Sequence, residues 1–170
     1  KFGYATATDI MTSDHNGQFL GKASATAPTM LVPRGRVTGG SSAINGQVFL
    51  RGVPEDYDSW AAMGNDEWAF PNLIQYFRKV EADPDFPDDD FHSSEGAIIV
   101  RRFKPDEMRP DQTAFYEACR EAGFADSPDH NAPDASGVGP VPMNNPNGIR
   151  FSTALGYLNP ARHRLNLTIR

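Results

Sequence analysis

A glycine-rich stretch at residues 33–52, PRGRVTGGSSAINGQVFLRG, constrains what this chain can form more than any other part of the sequence. Gly39 and Gly40 allow the backbone to turn sharply and to come close to a ligand. Ser41 and Ser42 follow, and they are able to cap the short helix that the apolar spacing of SSAINGQVFL predicts. Because the first turn of a helix has unpaired N–H groups and a partial positive charge, the stretch is a candidate anion site. The alternative is a glycine turn before a capped helix that binds nothing.

Polar side chains near this turn extend the candidate site. Asn45 lies one turn after the serines and carries both a donor and an acceptor, but it is equally typical of an ordinary turn. Arg34 and Arg36 flank the turn and suit a phosphate, although arginines beside glycine turns are often only solvated. The spacing matches neither GxGxxG nor the GxxxxGK[ST] pattern of a P-loop, so the two best-known phosphate motifs do not apply.

The composition limits the class of protein. At 170 residues the chain is long enough for one domain with its own core, although a start at Lys1 and an end in the strand-like LNLTIR indicate an excerpt. The formal net charge of −6 disfavours nucleic acid or an anionic membrane surface as the main partner. No apolar run approaches the ~18 residues of a membrane span. Cys119 is the single cysteine, which excludes an internal disulfide, and we expect a cytoplasmic protein.

The pattern of apolar residues predicts three helices and a few strands. Each helix has a proline near its start, and they cover PEDYDSWAAMG, AFPNLIQYFRKVEAD and PDQTAFYEACREAGF. AIIVRRF and the last residues, 164–170, are typical of strands, whereas residues 1–34 predict an extended, loop-rich segment. DPDFPDDDFHSSEG predicts an exposed acidic loop. Helices and strands without regular alternation favour an α+β fold over a doubly wound sheet.

Other kinds of catalytic or metal site find little support. The four histidines, at positions 15, 92, 130 and 163, lie far apart and lack HxxxH or HExxH spacing, so we expect no metal site. The acids at 83, 85 and 88–90 miss the spacing of a calcium loop and are better explained as a solvated loop. No serine has a GxSxG context, so nucleophilic hydrolysis is poorly supported.

Residues 35–58 resemble the first signature of the glucose-methanol-choline (GMC) flavin oxidoreductases. The shared pattern is a Gly-Arg pair followed by Gly39, Gly40, Ser41, Ser42, Asn45, Phe49, Gly52 and Asp58. Thr38 departs from it, because members usually have an aliphatic residue at that position. The resemblance continues through FHSSEGAIIV, FYEACREAGF and GIRFSTALGYLNPARHRLNLTIR, and it is strongest to bacterial choline-dehydrogenase-like members.

The resemblance implies a fold and an activity. The chain is expected to be a fragment of a two-domain FAD-binding oxidoreductase that lacks the N-terminal Rossmann core. Residues 1–60 would be the FAD-covering loop and signature, 61–160 a helical connection and the start of the substrate-binding domain, and 161–170 a returning strand. The implied enzyme oxidises a small-molecule alcohol to an aldehyde or ketone by hydride transfer to flavin and passes electrons to oxygen or another acceptor. A non-catalytic binding domain derived from the family is the alternative.

The resemblance also implies the cofactor contacts. The family's catalytic histidine would lie beyond Arg170, in the remainder of the polypeptide, so no catalytic residue is assigned here and the chain alone is expected to be inactive. Ile44 occupies the position at which some members carry a histidine that bonds FAD covalently, so we expect noncovalent FAD. The candidate FAD contacts are Val37, Gly39, Gly40, Ser41, Asn45, Gly46, Gln47 and Val48.

Overall fold

The computed structural model describes residues 7–87 and 89–169. In chain order these residues form α1 (Ala7–Thr12), β1 (Phe19–Gly21), β2 (Met30–Val32), α2 (Pro54–Ala62), α3 (Phe70–Val80), β3 (Glu81–Ala82), β4 (Ile98–Ile99), α4 (Pro110–Glu121) and α5 (Asn159–Ala161). Single turns of 3₁₀-helix occur at Gly40–Ala43, Asp66–Trp68, Pro105–Glu107 and Pro146–Gly148, and a π-helical turn at Ala154–Leu158 leads into α5. Helices and strands are therefore mixed, as the α+β prediction requires.

The chain divides into two compact units. The first combines Lys1–Gln47 with Arg150–Arg170, and the second is Val48–Ile149. In the first unit, β1 and β2 pair antiparallel, with Leu20 opposite Leu31. In the second unit, β3 and β4 pair in parallel, with Glu81 opposite Ile98. Because the second unit is inserted between two segments of the first, residues 150 onward can contact the glycine-rich stretch.

The second unit is organised around the three predicted helices, which the structure confirms. Pro54, Pro71 and Pro110 all lie in the first turn of their helices, where the missing N–H costs no hydrogen bond. Gly64 follows α2 with a φ of 96°, and Gly123 follows α4 with a φ of 92°. This left-handed conformation ends a helix at little cost only in glycine.

Aromatic side chains join α2, α3 and the 3₁₀ turn between them. Tyr57 meets Trp60 edge-on at 5.4 Å between ring centroids, and Trp60 meets Trp68 in the same way at 5.6 Å. Tyr57 also contacts Phe77 of α3, at 5.7 Å. Asp58 accepts a hydrogen bond from the first N–H of α3, at Phe70, over 2.9 Å. This acid of the family signature therefore fixes a helix start.

Two sequence predictions were wrong. The strand predicted within 161–170 is not formed by residues 162–169, which contain turns and irregular backbone; Leu165 is fully exposed, and an alternating segment becomes a strand only beside a partner. Residues 7–34 are loop-rich as predicted, with α1 and the short antiparallel pair β1–β2 added, and residues 1–6 lie outside the described part. The acidic stretch is only partly exposed, because Asp83 and His92 are buried.

Candidate functional site

The glycine-rich loop contains two successive residues in the left-handed conformation. Gly39 has a φ of 94° and Gly40 a φ of 57°, values that residues with a Cβ rarely adopt. The N–H of Gly40 donates to the carbonyl of Val37 over 2.8 Å and closes the turn. The helix that follows is one 3₁₀ turn, Gly40–Ala43, shorter than the sequence predicts. A single turn carries little macrodipole, so the anion-site argument now depends on the shape of the loop.

Residues 152–154, in the second chain segment of the first unit, hold this turn in place. Ser42 Oγ donates to the carbonyl of Gly39 over 2.6 Å and accepts from the backbone N–H of Thr153 over 3.0 Å. A Cβ on Gly39 would lie 3.2 Å from Ser152 Oγ and from Ala154 Cβ. The loop is thus fixed by contacts with a segment more than 100 residues later in the chain.

A glycine before the turn packs directly against it. A Cβ on Gly35 would lie 2.1 Å from the carbonyl oxygen of Gly40, a distance that atoms cannot share. The N–H of Gly35 donates to Ser41 Oγ over 3.2 Å. Gly35 is therefore required by the packing of the loop itself.

Gly40 and Gly46 present the open face of the loop. A Cβ on either residue would have no non-neighbouring atom of the described residues within 4 Å. Gly46 also lacks a positive φ, so neither its backbone conformation nor a close neighbour in this part of the chain explains a glycine there. A residue without a side chain at an open position is typical of a surface that another group approaches closely.

Asn45 lies near the end of the loop, and the oxygen of its side-chain amide accepts two hydrogen bonds. Its Oδ1 accepts from the backbone N–H of Gln47 over 3.0 Å and from Nη1 of Arg150 over 3.0 Å. Gln47 has a φ of 65°, uncommon for a residue with a side chain. The hydrogen bond to Asn45 supports that turn in the way asparagine commonly does.

The structure brings most of the predicted FAD contacts together in this loop. Val37, Gly39, Gly40, Ser41, Asn45, Gly46 and Gln47 all belong to the first unit. Val48 begins the second unit, where it pairs with Met143 in an isolated antiparallel bridge. Ile44 is buried at 5% exposure. The contacts of these residues with FAD stay a prediction.

A second polar group, the buried ionic cluster, lies inside the second unit. His92 is central to it: Nδ1 lies 2.9 Å from Glu81 Oε1, and Nε2 lies 2.8 Å from Asp129 Oδ2. Arg102 donates to Asp83 over 2.7 Å and to Asp129 over 2.6 Å. The members of the cluster are Arg51, which bonds Glu81, together with Glu81, Asp83, His92, Arg102 and Asp129, all with largely buried side chains.

His92 carries a positive charge in this cluster. Both of its ring nitrogens face carboxylate oxygens, so both must donate, which only the imidazolium form can do. Burial favours the neutral ring, but hydrogen bonds and attraction from Asp129 and Glu81 outweigh it and raise the pKa of His92 to about 9. The pKa of Asp129 is lowered to about 2, because hydrogen bonds from His92 and the N–H of Asn131, with the charge of Arg102, outweigh its burial.

Glu81, Asp83 and His92 also have the spacing of metal ligands, since one ligand atom of each lies within 4.8 Å of the others. Each carboxylate already accepts from a cation: Glu81 from Arg51 and His92, and Asp83 from Arg102. With the imidazolium, the cluster's cations and carboxylates are equal in number. A divalent ion would displace the imidazolium proton and add excess charge to a buried site. We therefore assign the cluster a structural role.

Sequence reasoning missed this cluster. The acids near residue 83 were expected in a solvated loop, and Asp88 lies outside the described residues. Cations that neutralise the cluster come from position 51 before the acids and position 102 after them. A sequence signal was present in FHSSEGAIIV, where His92 falls between acids and a buried strand, but spacing alone did not reveal its partners.

Comparison with known proteins defines the class as a flavin oxidoreductase. The family model described as GMC oxidoreductase matches residues 9–170. An uncharacterised GMC-type oxidoreductase in the thcA 5′ region of Rhodococcus erythropolis is 43% identical over 81% of the chain and 27% of its own length. An oxygen-dependent choline dehydrogenase of Photobacterium profundum is 38% identical over 81% of the chain and 24% of its own length.

Solved structures agree with this result. Pyridoxine 4-oxidase from Mesorbium loti superposes with a TM-score of 0.86 at 28% identity, over 96% of the chain and 32% of that protein. A fungal aryl-alcohol oxidase superposes with a TM-score of 0.74 at 25% identity, over 89% of the chain and 28% of that protein. This chain belongs to the GMC oxidoreductase family, which implies FAD as the cofactor. It spans about a quarter of the length of the curated relatives.

The helices were also compared with the requirements of a membrane span. Among the described residues, no helix is both long and apolar enough to cross a membrane.

Proposed function

We propose that this chain forms part of the FAD site of an enzyme that oxidises a small-molecule alcohol to an aldehyde or ketone. FAD is held noncovalently, and the electrons leave to oxygen or another acceptor. Because the chain spans about a quarter of its curated relatives, this activity is proposed for the whole polypeptide. The relatives named as choline dehydrogenase and aryl-alcohol oxidase support an alcohol substrate.

The open glycine face of the loop is the observation that carries the proposal. Gly40 and Gly46 leave room for close approach, while Ser42 and residues 152–154 hold the loop in place behind them. A preformed surface loses little conformational entropy when a ligand binds to it. The residues present therefore fit a flat, polar cofactor.

Four residues of the loop have a binding role in this proposal. Gly40 and Gly46 allow the cofactor to come close to the loop, Ser41 offers its hydroxyl proton, and Asn45 offers its amide N–H groups. When bound, FAD supplies the acceptor for the hydride that leaves the alcohol carbon. The loop orients the cofactor and keeps water from one side of it.

The side chain at position 44 supports noncovalent attachment. Ile44 has no nucleophilic atom and is buried at 5% exposure. We expect acid precipitation of the protein to leave FAD in the supernatant. Flavin that stays in the washed pellet would contradict this part of the proposal alone.

The main experiment is expression from the complete gene, followed by a visible spectrum and an alcohol panel with and without oxygen. We expect a flavin spectrum and turnover of at least one alcohol. In Gly46→Val we expect FAD affinity to fall by about tenfold or more, because its side chain enters the open face. The melting temperature of the FAD-free protein should change little, since a Cβ on Gly46 would have no non-neighbouring described atom within 4 Å.

Two outcomes separate the alternatives. A protein without flavin, and without affinity for added FAD, would refute the proposal. A protein with flavin that the panel never reduces would support the non-catalytic binding domain instead. The assignments of residues 1–60 and 61–160 to parts of the two domains stay predictions, as does a cytoplasmic location.

A further inference from the structure

Arg150 contacts the glycine-rich loop from a distant part of the sequence. Its Nη1 donates to the backbone carbonyl of Asn45 over 2.5 Å and to Asn45 Oδ1 over 3.0 Å. The two residues are 105 positions apart and belong to the same unit. Arg150 is half-buried, whereas Asn45 is exposed. The guanidinium therefore holds an exposed side chain of the candidate site from a distant segment of the same unit.

The two donors at Asn45 Oδ1 define the orientation of its amide. The backbone N–H of Gln47 and the guanidinium of Arg150 can only donate, so both must meet the oxygen. A flipped amide would place its NH₂ group against two donors, an unfavourable arrangement. The Nδ2 group is consequently the end of Asn45 that can serve a ligand as a hydrogen-bond donor.

We infer that Arg150 is a positioning residue, whose guanidinium holds the amide of Asn45 as a donor to an acceptor atom of bound FAD. The inference rests on the proposed function of the loop and adds the device that orients it. A single hydrogen bond from Gln47 leaves the side chain free to rotate. The second bond, from a charged donor, is the stronger of the two and restricts that rotation.

The first experiment measures the dissociation constant of FAD with protein expressed from the complete gene and stripped of flavin. In Arg150→Met we expect the constant to rise by about tenfold, as for loss of a hydrogen bond from a charged donor. Arg150→Lys should recover part of the affinity, because an ammonium can still donate to Asn45. Arg162→Met is the matched control: it removes an arginine bond to Asn159, 3.0 Å long, in the same unit. We expect its effect to stay within about twofold.

The second experiment tests whether Arg150 acts through the amide. Asn45→Asp retains an oxygen for Gln47 and Arg150 but loses the Nδ2 donor. We expect FAD to bind about tenfold or more weakly in this variant, and the visible absorption band of bound flavin to shift. Asn45→Ala is also measured alone. In the double variant Arg150→Met with Asn45→Ala, the combined loss should be smaller than the product of the losses in Arg150→Met and Asn45→Ala, because the residues share one interaction.

The outcomes separate this inference from the proposed function. If wild-type protein does not bind FAD, both fail. If wild-type protein binds FAD but Arg150→Met stays within about twofold, or the two losses multiply, only the positioning role is refuted. Should Arg150→Met fail to fold, Asn45→Asp decides the matter, and unchanged FAD affinity and spectrum in that variant would refute the inference.

Discussion

Replacement of His92 by glutamine should remove most of the alkaline pH dependence of stability in the second unit. The ring is fully buried between Glu81 and Asp129, with Asp83 Oδ2 3.5 Å from Nδ1. Phe86 stacks on the ring at 5.2 Å between centroids, and the cations of the same cluster are Arg51 and Arg102. Glutamine has no charge, so the carboxylates of the cluster would outnumber its cations.

The magnitude follows from the pKa of His92. A rise from 6.5 to about 9 corresponds to about 3 kcal/mol, at ~1.36 kcal/mol per unit. Because the folded-state pKa is raised, the contribution is fully present below pH 6.5 and is lost as the pH rises toward 9. We therefore expect the wild-type free energy of unfolding to fall by about 3 kcal/mol across this interval. At pH 6, His92→Gln should be less stable by about 3 kcal/mol or more, since it leaves three buried carboxylates with only two cations, Arg51 and Arg102.

Urea unfolding at a series of pH values, followed by tryptophan fluorescence, measures this directly. The two tryptophans, Trp60 and Trp68, both lie in the second unit and report its unfolding. His163→Gln is the matched control, because His163 is exposed and belongs to the first unit. A wild-type unfolding free energy that stays constant from pH 6.5 to 9 would refute the reasoning, as would an equal slope in His92→Gln.

Three further predictions concern single contacts. Asp129→Asn should lower the free energy of unfolding by about 2 kcal/mol at pH 7. The wild type should lose the same stability as the pH falls from 3.8 to about 2, because the folded-state pKa of Asp129 is lowered. Urea unfolding at pH 7 and acid titration, both followed by tryptophan fluorescence, check these two expectations. Gly35→Ala should lower the melting temperature measured by circular dichroism, because its Cβ would overlap the loop backbone, whereas Gly46→Ala should not. Glu107→Gln should lower the free energy of urea unfolding by less than about 1 kcal/mol, since the ion pair of Glu107 with Arg101 is partly exposed. A larger loss would contradict this prediction.

The pKa shifts of Asp129 and His92 arise in part from the same contact between the two residues. Their 2.8 Å hydrogen bond contributes to both, so the two free energies do not add. Asp129 also accepts a hydrogen bond from Arg102, and this bond does not involve His92. A double variant, His92→Gln with Asp129→Asn, should therefore be destabilised by less than the sum of the single variants.

The family signature serves two different purposes in the structure. Its first half, around Gly39 and Gly40, shapes the open loop of the first unit. Its second half stabilises the second unit: Gly52 donates its N–H to Tyr57 Oη over 3.1 Å, and Asp58 holds the start of α3. One sequence motif thus combines a candidate ligand surface with local packing, and substitutions in the two halves should have different consequences.

The sequence by itself determined the local structure and the family. The prolines that begin α2, α3 and α4, and the glycines that follow α2 and α4, act on their own backbone, so the pattern predicted these helices. The same is true of the turn at Gly39 and Gly40, where backbone freedom is a property of the residue type. A long ordered signature was sufficient to recognise a GMC oxidoreductase.

Only the tertiary structure decided which distant residues meet. Arg150 reaches Asn45 across 105 positions, and His92 reaches Asp129 across 37, and no local pattern encodes either pairing. The strand predicted at the end of the chain shows the same limit, because a strand forms only beside a partner. Long-range contacts depend on the path of the whole backbone. For this reason the sequence indicated the loop, while the fold revealed the arginine that holds it.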